Sequence, residues 1–181
     1  MSKNILKGWR IYLSGPIEAA KDDGVGWRQV FIELNKKHEI GLKIIDPTNK
    51  GNAAIAEIGE SRENLRQLKK NRAFEDVTAT MNKIRRWDLR AVDESNIIVV
   101  NIDSDIPTVG TVDEVVRASN QDKPILAVVD GGPEECPDWY FPYIKYNEMF
   151  CNVEDLIDYL VKINEGRIGI NHRWIKIESI K

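Results

Sequence analysis

The chain has 181 residues, of which 42% are hydrophobic and 30% are charged, and its formal net charge is -3. This length suits one ordinary globular domain and is too short for two full ones. The charge balance lacks the excess of Lys and Arg that marks a general nucleic-acid-binding protein, and no apolar run is long enough to cross a membrane.

The two cysteines, Cys136 and Cys151, are too few for a disulfide framework or a four-ligand metal site. The N-terminal residues lack the apolar core of a signal peptide. We therefore expect a reduced, cytoplasmic protein.

The first half of the chain alternates strand-like and helix-like patterns. Gly15-Pro16 ends the first strand-like run, and Pro47 ends the second. Residues 48–61 are rich in Gly, Asn and Ala, which indicates an irregular segment. The predicted elements of this half are a strand at 10–14, a helix at 26–37, a strand at 42–46, one or two helices within 62–86 and a short helix at 88–94.

The second half repeats the alternation with strands that are apolar throughout. An aromatic-rich loop occupies residues 138–146, and a tail at 166–181 has the partial alternation of an added edge strand or of an arm that packs on a neighbouring subunit. The predicted elements are a strand at 97–101, a helix from Thr111, a strand at 124–129, a weak strand at 149–151 and a helix at 153–163.

This order of elements predicts a parallel sheet with right-handed crossovers and helices on both faces. We therefore expect an α/β fold with a flavodoxin-like (Rossmann-like), doubly wound, five-stranded parallel sheet. The expected domain covers residues 1–163 and contains a helical insertion at 49–86. Residues 164–181 are expected to form a C-terminal extension.

Three residues that are far apart in the sequence are predicted to meet at the carboxyl edge of this sheet, where open parallel sheets bind ligands. Glu114 follows the strand at 97–101, Asp88 begins a helix that runs back from the edge, and Tyr12 lies near the end of the first strand. Two carboxylates and a hydroxyl suit chemistry at a glycosidic carbon, which needs a nucleophile, an acid or hydrogen-bonding group for the leaving group, and a group that orients the nucleophile.

Each of these residues also has a structural interpretation. Thr111 and Glu114 satisfy the S/T-x-x-E capping box of a helix start, and in that first turn the helix dipole would favour the ionised carboxylate. Asp88 fits the N-cap of the short helix, and Tyr12 fits a buried strand aromatic.

Other catalytic arrangements have little support in the sequence. His38 and His172 are predicted to lie in a helix end and in the tail, which does not favour a Ser-His-Asp hydrolase or a zinc enzyme. Ser14-Gly15-Pro16 is too short for a phosphate-binding glycine loop. We expect neither a metal nor a cofactor.

Five pieces of the sequence carry a resemblance to a known family. They are IYLSGPIE (11–18) with GVGWR after it, DPT (46–48), RRWDLRAVDESNIIVVNID (85–103), IPTVGTVDEVVRA (106–118) and KPILAVV (123–129). In this order and spacing the pieces resemble the nucleoside 2-deoxyribosyltransferases and the related nucleotide N-glycoside hydrolases. Their joint arrangement is more specific than any single piece.

By this resemblance, Glu114 is the nucleophile, Asp88 is the base-binding or proton-relay aspartate, and Tyr12 hydrogen-bonds the nucleophile. Glu114 would displace a nucleobase from C1′ of a 2′-deoxyribose, and a second base would capture the covalent intermediate with net retention. Capture by water would instead make an N-glycoside hydrolase of a deoxynucleoside or its 5′-monophosphate. A third alternative is a nucleotide-binding or sensing protein that keeps the fold without turnover.

The resemblance implies a deoxynucleoside and a free nucleobase as ligands. Thr108 stands where the nucleotide hydrolases have a phosphate-holding serine, while Pro16 and Glu18 replace their serine and arginine. Because Glu18 would repel a phosphate, a free nucleoside is favoured. Trp27 is expected in the core, in the pocket wall or stacked on a base. The expected substrate-binding residues are Ser14, Gly15, Pro16, Ile17, Trp27, Asp46, Thr108, Gly110 and Thr111.

The aromatic-rich loop is expected to cover a pocket or an interface, because Trp139, Tyr140, Phe141 and Tyr143 form too large an apolar cluster to leave in water. The family completes its sites across subunits, which implies a homo-oligomer with sites near the interfaces. The basic residues of the insertion are expected to face solvent rather than to bind nucleic acid; they are Arg62, Arg66, Lys69, Lys70 and Arg72.

Overall fold

Five strands form one sheet at the centre of the fold. They are β1 (Arg10–Ser14), β2 (Lys43–Ile45), β3 (Ile97–Ile102), β4 (Ile125–Val129) and β5 (Met149–Phe150). The computed structural model of the protein describes residues 4–51, 59–106 and 108–176. The sheet has the order β2-β1-β3-β4-β5, and every neighbouring pair is parallel. The expected α/β fold with a five-stranded parallel sheet is therefore confirmed.

Helices cover both faces of the sheet. They are α1 (Val25–Lys37), α2 (Gly59–Lys70), α3 (Phe74–Glu94), α4 (Val109–Ser119) and α5 (Val153–Asn164). α1 and α5 pack together on one face, and α3 and α4 pack together on the other, with α2 against α3. In the three described ranges, no helix has both the length and the hydropathy needed to cross a membrane.

The period of two along the buried strands divides the core between the two faces. Ile11 and Leu13 of β1 enter the cluster beneath α1 and α5, whereas Tyr12 enters the cluster beneath α3 and α4. All three side chains are fully buried. The pleat of β1 therefore directs Tyr12 toward the helices that carry Asp88 and Glu114.

One long helix replaces the predicted short helix at 88–94. α3 runs unbroken from residue 74 because no Gly or Pro interrupts it and its buried positions keep a helical spacing. The prediction that Asp88 caps a helix start is therefore wrong, since Asp88 lies inside α3. Arg72, in a left-handed conformation with φ 58°, lies in the turn between α2 and α3. Of the irregular segment predicted at 48–61, residues 52–58 lie outside the described part of the chain.

The tail covers the amino edge of its own sheet instead of extending the sheet. Trp174 is buried and its ring lies 6.3 Å from that of Trp9, just before β1. Arg173 forms a buried ion pair with Glu148, with contacts of 2.5 and 2.7 Å. Residues 166–176 form no strand, so the expected edge strand is wrong for this part of the tail. Packing of the tail on a neighbouring subunit stays a prediction. Residues 177–181 lie outside the described part.

Candidate active site

The Glu114 carboxylate lies at the carboxyl edge of the sheet and is held by β1. It is buried, with a relative exposure of 9%. Oε1 accepts a hydrogen bond of 2.7 Å from the Tyr12 hydroxyl, and Oε2 accepts one from the Ser14 hydroxyl. Because Tyr12 and Ser14 are two positions apart in one strand, their side chains point to the same face and reach both oxygens of one carboxylate.

The expected capping box is wrong. α4 begins at Val109, with Thr108 at the N-cap position, so Thr111 and Glu114 both lie inside the helix. Glu114 bonds across to β1 rather than back to the helix start. Thr111 is buried within α4, and Gly110 is exposed in its first turn.

Asp88 completes a line of polar groups with Tyr12 and Glu114. Its Oδ1 lies 3.4 Å from the Tyr12 hydroxyl oxygen, which is the longer of the two contacts that this hydroxyl makes. A hydroxyl has one proton, so the shorter contact to Glu114 takes it. The structure thus brings together the three residues that the sequence singled out on β1, α3 and α4.

Burial raises the proton affinity of all three groups. Burial raises the pKa of Glu114 to about 7, and the negative charge of Asp88 adds to this effect, while hydrogen bonds from Ser14 and Tyr12 oppose it. Glu114 lies beyond the first turn of α4, so the expected help from the helix dipole is weakened, and burial favours the protonated form. The pKa of Asp88 is also raised by burial, and the pKa of Tyr12 lies well above its ordinary value, so Tyr12 remains a donor.

Lys50 is a site residue that the sequence did not reveal. Its Nζ lies 2.7 Å from Oδ1 of Asp88 and 4.7 Å from the centre of the Trp87 ring, and its side chain is only 1% exposed. It follows β2 in a segment with no apolar periodicity. The sequence indicated a site role for Lys50 only through its position two residues after Asp46-Pro47-Thr48. That indication is weak, because a lone lysine in a polar loop more often faces solvent.

Arg28 shapes the loop after β1 and was also missed. Its guanidinium is fully buried and donates to the carbonyl oxygens of Leu13, Gly15 and Gly24 at 3.2, 3.1 and 2.6 Å. The Asp46 carboxylate lies 3.7 Å from its Nε. A positive charge in this position offsets part of the negative charge around Glu114 and fixes the path of the loop.

An open cleft of about 340 Å³ lies between the loop after β1 and the loop after β3. Trp27 and Pro16 line it, as the sequence predicted for the pocket, together with Asn101 and Asp103. Gly15 passes closely beneath it: a Cβ there would lie 3.1 Å from the Cβ of Asn101 and 3.2 Å from the Trp27 ring. The close approach of these loops requires glycine at this position.

The remaining expected binding residues are held by protein groups or stand apart. Asp46 accepts hydrogen bonds from the Thr48 amide and hydroxyl at 2.8 and 2.7 Å. Thr108 shares a side-chain hydrogen bond with Tyr140 of the aromatic-rich loop. Ile17 is half-buried beside the cleft loop. Each therefore lies at the carboxyl edge, where the sequence placed it.

Helix α2 contacts the same loop through ion pairs. Arg62 pairs with Asp23, and Lys69 lies 3.3 Å from Glu18. The expectation that Glu18 repels a phosphate loses force, because a cation offsets its charge. Arg62 is thus partly buried against the protein, whereas Arg66, Lys69, Lys70 and Arg72 are exposed, as the sequence predicted.

No family model and no curated protein matches this sequence. A solved structure with a similar fold is that of a conserved protein from Enterococcus faecalis V583, with a TM-score of 0.50 and 14% sequence identity. The similarity covers 89% of this chain and 99% of that chain. At this identity the likeness concerns the fold alone.

Proposed function

We propose that the chain is a nucleoside 2-deoxyribosyltransferase in which Glu114 is the nucleophile. One observation carries the proposal. The buried Glu114 carboxylate accepts hydrogen bonds from two hydroxyls of β1, and Asp88 lies beside it at the carboxyl edge of the sheet, where α/β proteins bind ligands. Two hydroxyl donors orient both oxygens of Glu114, and a raised pKa is typical of a functional carboxylate.

In the proposed reaction, a Glu114 oxygen attacks C1′ of the deoxynucleoside and forms a C1′–O bond. The bond from C1′ to the base nitrogen breaks, and its electron pair leaves with the base, which takes up a proton. A second base then attacks C1′, loses a proton and displaces Glu114, so that the configuration at C1′ is retained and protons balance. Asp88 lies on the far side of Tyr12, and we assign it the contact with the base.

The hydrolase of a deoxynucleoside 5′-monophosphate is the second candidate, and the Glu18–Lys69 ion pair favours keeping it. With Glu18 paired, the loop after β1 is less repulsive to a phosphate than its sequence suggests. In this reaction water takes the place of the second base.

The test is product analysis by chromatography. Thymidine with adenine should give deoxyadenosine and thymine, whereas deoxynucleosides or monophosphates alone should remain intact. Release of free base without an acceptor would favour the hydrolase, and binding without products would contradict both enzymes. Glu114→Gln should abolish turnover. The control is Asp113→Asn, because Asp113 is next to Glu114 in α4 and pairs with Arg85 at the surface; this variant should keep its activity.

The proposed enzyme is a cytoplasmic homo-oligomer, in keeping with two free thiols and an exposed aromatic surface. Trp139 and Phe141 are 81% and 45% exposed, while Tyr140 and Tyr143 pack on the core. An interface would bury the exposed pair. Light scattering should report a multiple of the 20.7 kDa chain mass, reduced in the variant Trp139→Ser/Phe141→Ser.

A further inference from the structure

Lys50 is a buried cation that the proposed reaction does not use directly. Its amine meets Asp88 on one side and the Trp87 ring on the other, with 1% of the side chain exposed. Burying an ammonium group is costly unless a negative charge and hydrogen bonds compensate. The compensation here is the Asp88 carboxylate, which lies 2.7 Å from the Lys50 amine.

At Asp88, Oδ1 faces a cation, which disfavours a proton on that oxygen. That one oxygen faces Nζ of Lys50 at 2.7 Å and the Tyr12 hydroxyl oxygen at 3.4 Å. An ammonium group has donors and no acceptor, so Lys50 can bond only an oxygen that offers a lone pair. Asp88 therefore meets Lys50 as an acceptor.

Two carboxylates joined through one hydroxyl do not ionise independently. The charge of each makes ionisation of the other harder, as in carboxylate pairs that share a proton. The chain Glu114–Tyr12–Asp88 has this form, and in the proposed reaction Glu114 must be ionised to attack. A cation at Asp88 lowers the cost of ionising both. The charged or titratable groups that face this chain are Tyr12 of β1, Arg28 of α1, Asp46 and Lys50 after β2, Asp88 of α3 and Glu114 of α4.

We propose that Lys50 is a positioning residue whose charge holds Asp88 ionised beside Tyr12, so that Glu114 and Asp88 are ionised together and Asp88 meets the nucleobase as a hydrogen-bond acceptor. This inference rests on the proposed function. It chooses base binding over proton donation for Asp88, and it favours bases that present an N–H or amino group to that carboxylate.

The first test is independent of turnover. Carboxyl ¹³C signals of Glu114 and Asp88, assigned with Glu114→Gln and Asp88→Asn, are followed against pH in the full chain. Asp88 should ionise at a lower pH than Glu114, and Lys50→Met should raise the midpoint of Asp88 by at least one pH unit. If Asp88 ionises after Glu114 in the unmodified protein, the inference is overturned, even where Lys50→Met does not fold.

The second test is the pH profile of base exchange. Lys50→Met should shift the acid limb of kcat/KM toward higher pH, because without the cation both carboxylates ionise only at a lower proton concentration. Lys50→Arg keeps the positive charge and should leave the limb near its original position. The matched control is Lys123→Met, which removes a second buried lysine that donates to the carbonyls of Val92 and Asp93, about one turn after Asp88 in α3. It should lower stability and leave the limb in place.

The two proposals fail differently. Absence of base exchange in the unmodified protein contradicts the transferase, while the ¹³C titration still decides the role of Lys50. An unshifted acid limb in folded Lys50→Met, with exchange intact, contradicts the role of Lys50 alone.

Discussion

Tyr12 donates a hydrogen bond of 2.7 Å to Oε1 of Glu114, which joins a core residue of β1 to a carboxylate on α4. The contact forms because Tyr12 is fully buried on the α3 and α4 side of the sheet, with its hydroxyl at the edge of the apolar cluster. The pKa of Tyr12 is raised well above its ordinary value, so the hydroxyl keeps its proton and stabilises the ionised carboxylate as a donor.

Removing the Tyr12 hydroxyl should slow the reaction and move its pH dependence. Tyr12→Phe keeps the ring in the core and deletes the donor that lowers the pKa of Glu114. We expect kcat to fall about 10- to 100-fold and the acid limb to move to higher pH. A pH–rate profile checks this, and an unshifted limb would contradict the assigned contact.

Activity should rise with pH around neutrality. Glu114 has a pKa of about 7 and attacks in its ionised form in the proposed reaction, so kcat/KM should increase as the pH passes through that value and level off above it. Glu114→Gln should lower kcat by about 1,000-fold or more. A rate that is flat between pH 5 and 9 would rule out Glu114 as the titrating nucleophile.

Ionisation of Glu114 should lower the stability of the fold at high pH. Its folded pKa lies above the ordinary value of 4.5, so between about pH 4.5 and 7 the folded state binds more protons than the unfolded state. Stability is therefore fully present at the low end of this window and is lost as the pH rises through it. Glu114→Gln should be more stable than the parent at pH 8, by about 2 kcal/mol, with a smaller gain at pH 5. Urea unfolding at both pH values measures this difference.

Gly15 should be intolerant of a side chain. Its φ of 154° is rarely adopted by residues with a side chain, and a Cβ would crowd the Asn101 side chain at 3.1 Å. Gly15→Ala should displace the loop after β1 and lower kcat/KM about 10-fold or more. Gly169→Ala is the control, because a Cβ at Gly169 meets nothing within 4 Å. Equal activity of the two variants would contradict a close contact under the cleft.

The tail should contribute to stability through its buried ion pair. Arg173→Met leaves Glu148 buried without its partner, which should cost about 3 kcal/mol and lower Tm by about 10 °C. Arg167→Met removes an exposed pair with Glu165 in the same tail and should change Tm little. Similar Tm values for both variants would show that the tail is not packed as described.

The fold could be predicted because its strands are apolar throughout and its crossovers alternate with them. The contact of Tyr12 with Asp88 and Glu114 follows from the same pattern, since parallel strands present their carboxyl ends at one edge. Helix boundaries were less accessible. A helix start was predicted at Asp88, but α3 continues through this residue, because packing along 21 residues outweighs one capping signal.

Arg28 and Lys50, the buried cations beside the candidate site, could not be predicted, for a different reason. Arg28 lies on a helix that reads as amphipathic, and its burial depends on loop carbonyls that gather only after folding. Lys50 lies in a polar segment, and its partner Asp88 is on a distant helix. A local pattern contains neither relationship.

Tyr12 belongs to the hydrophobic core and to the polar site at once. Under the proposed function, selection for a stable sheet and selection for turnover act on one side chain through different atoms: the ring serves the first and the hydroxyl the second. A descendant that abandoned chemistry would be free to change Glu114 and Ser14, yet would still need an aromatic ring on β1. Phenylalanine at position 12, accompanied by a non-acidic residue at position 114, would mark such a lineage.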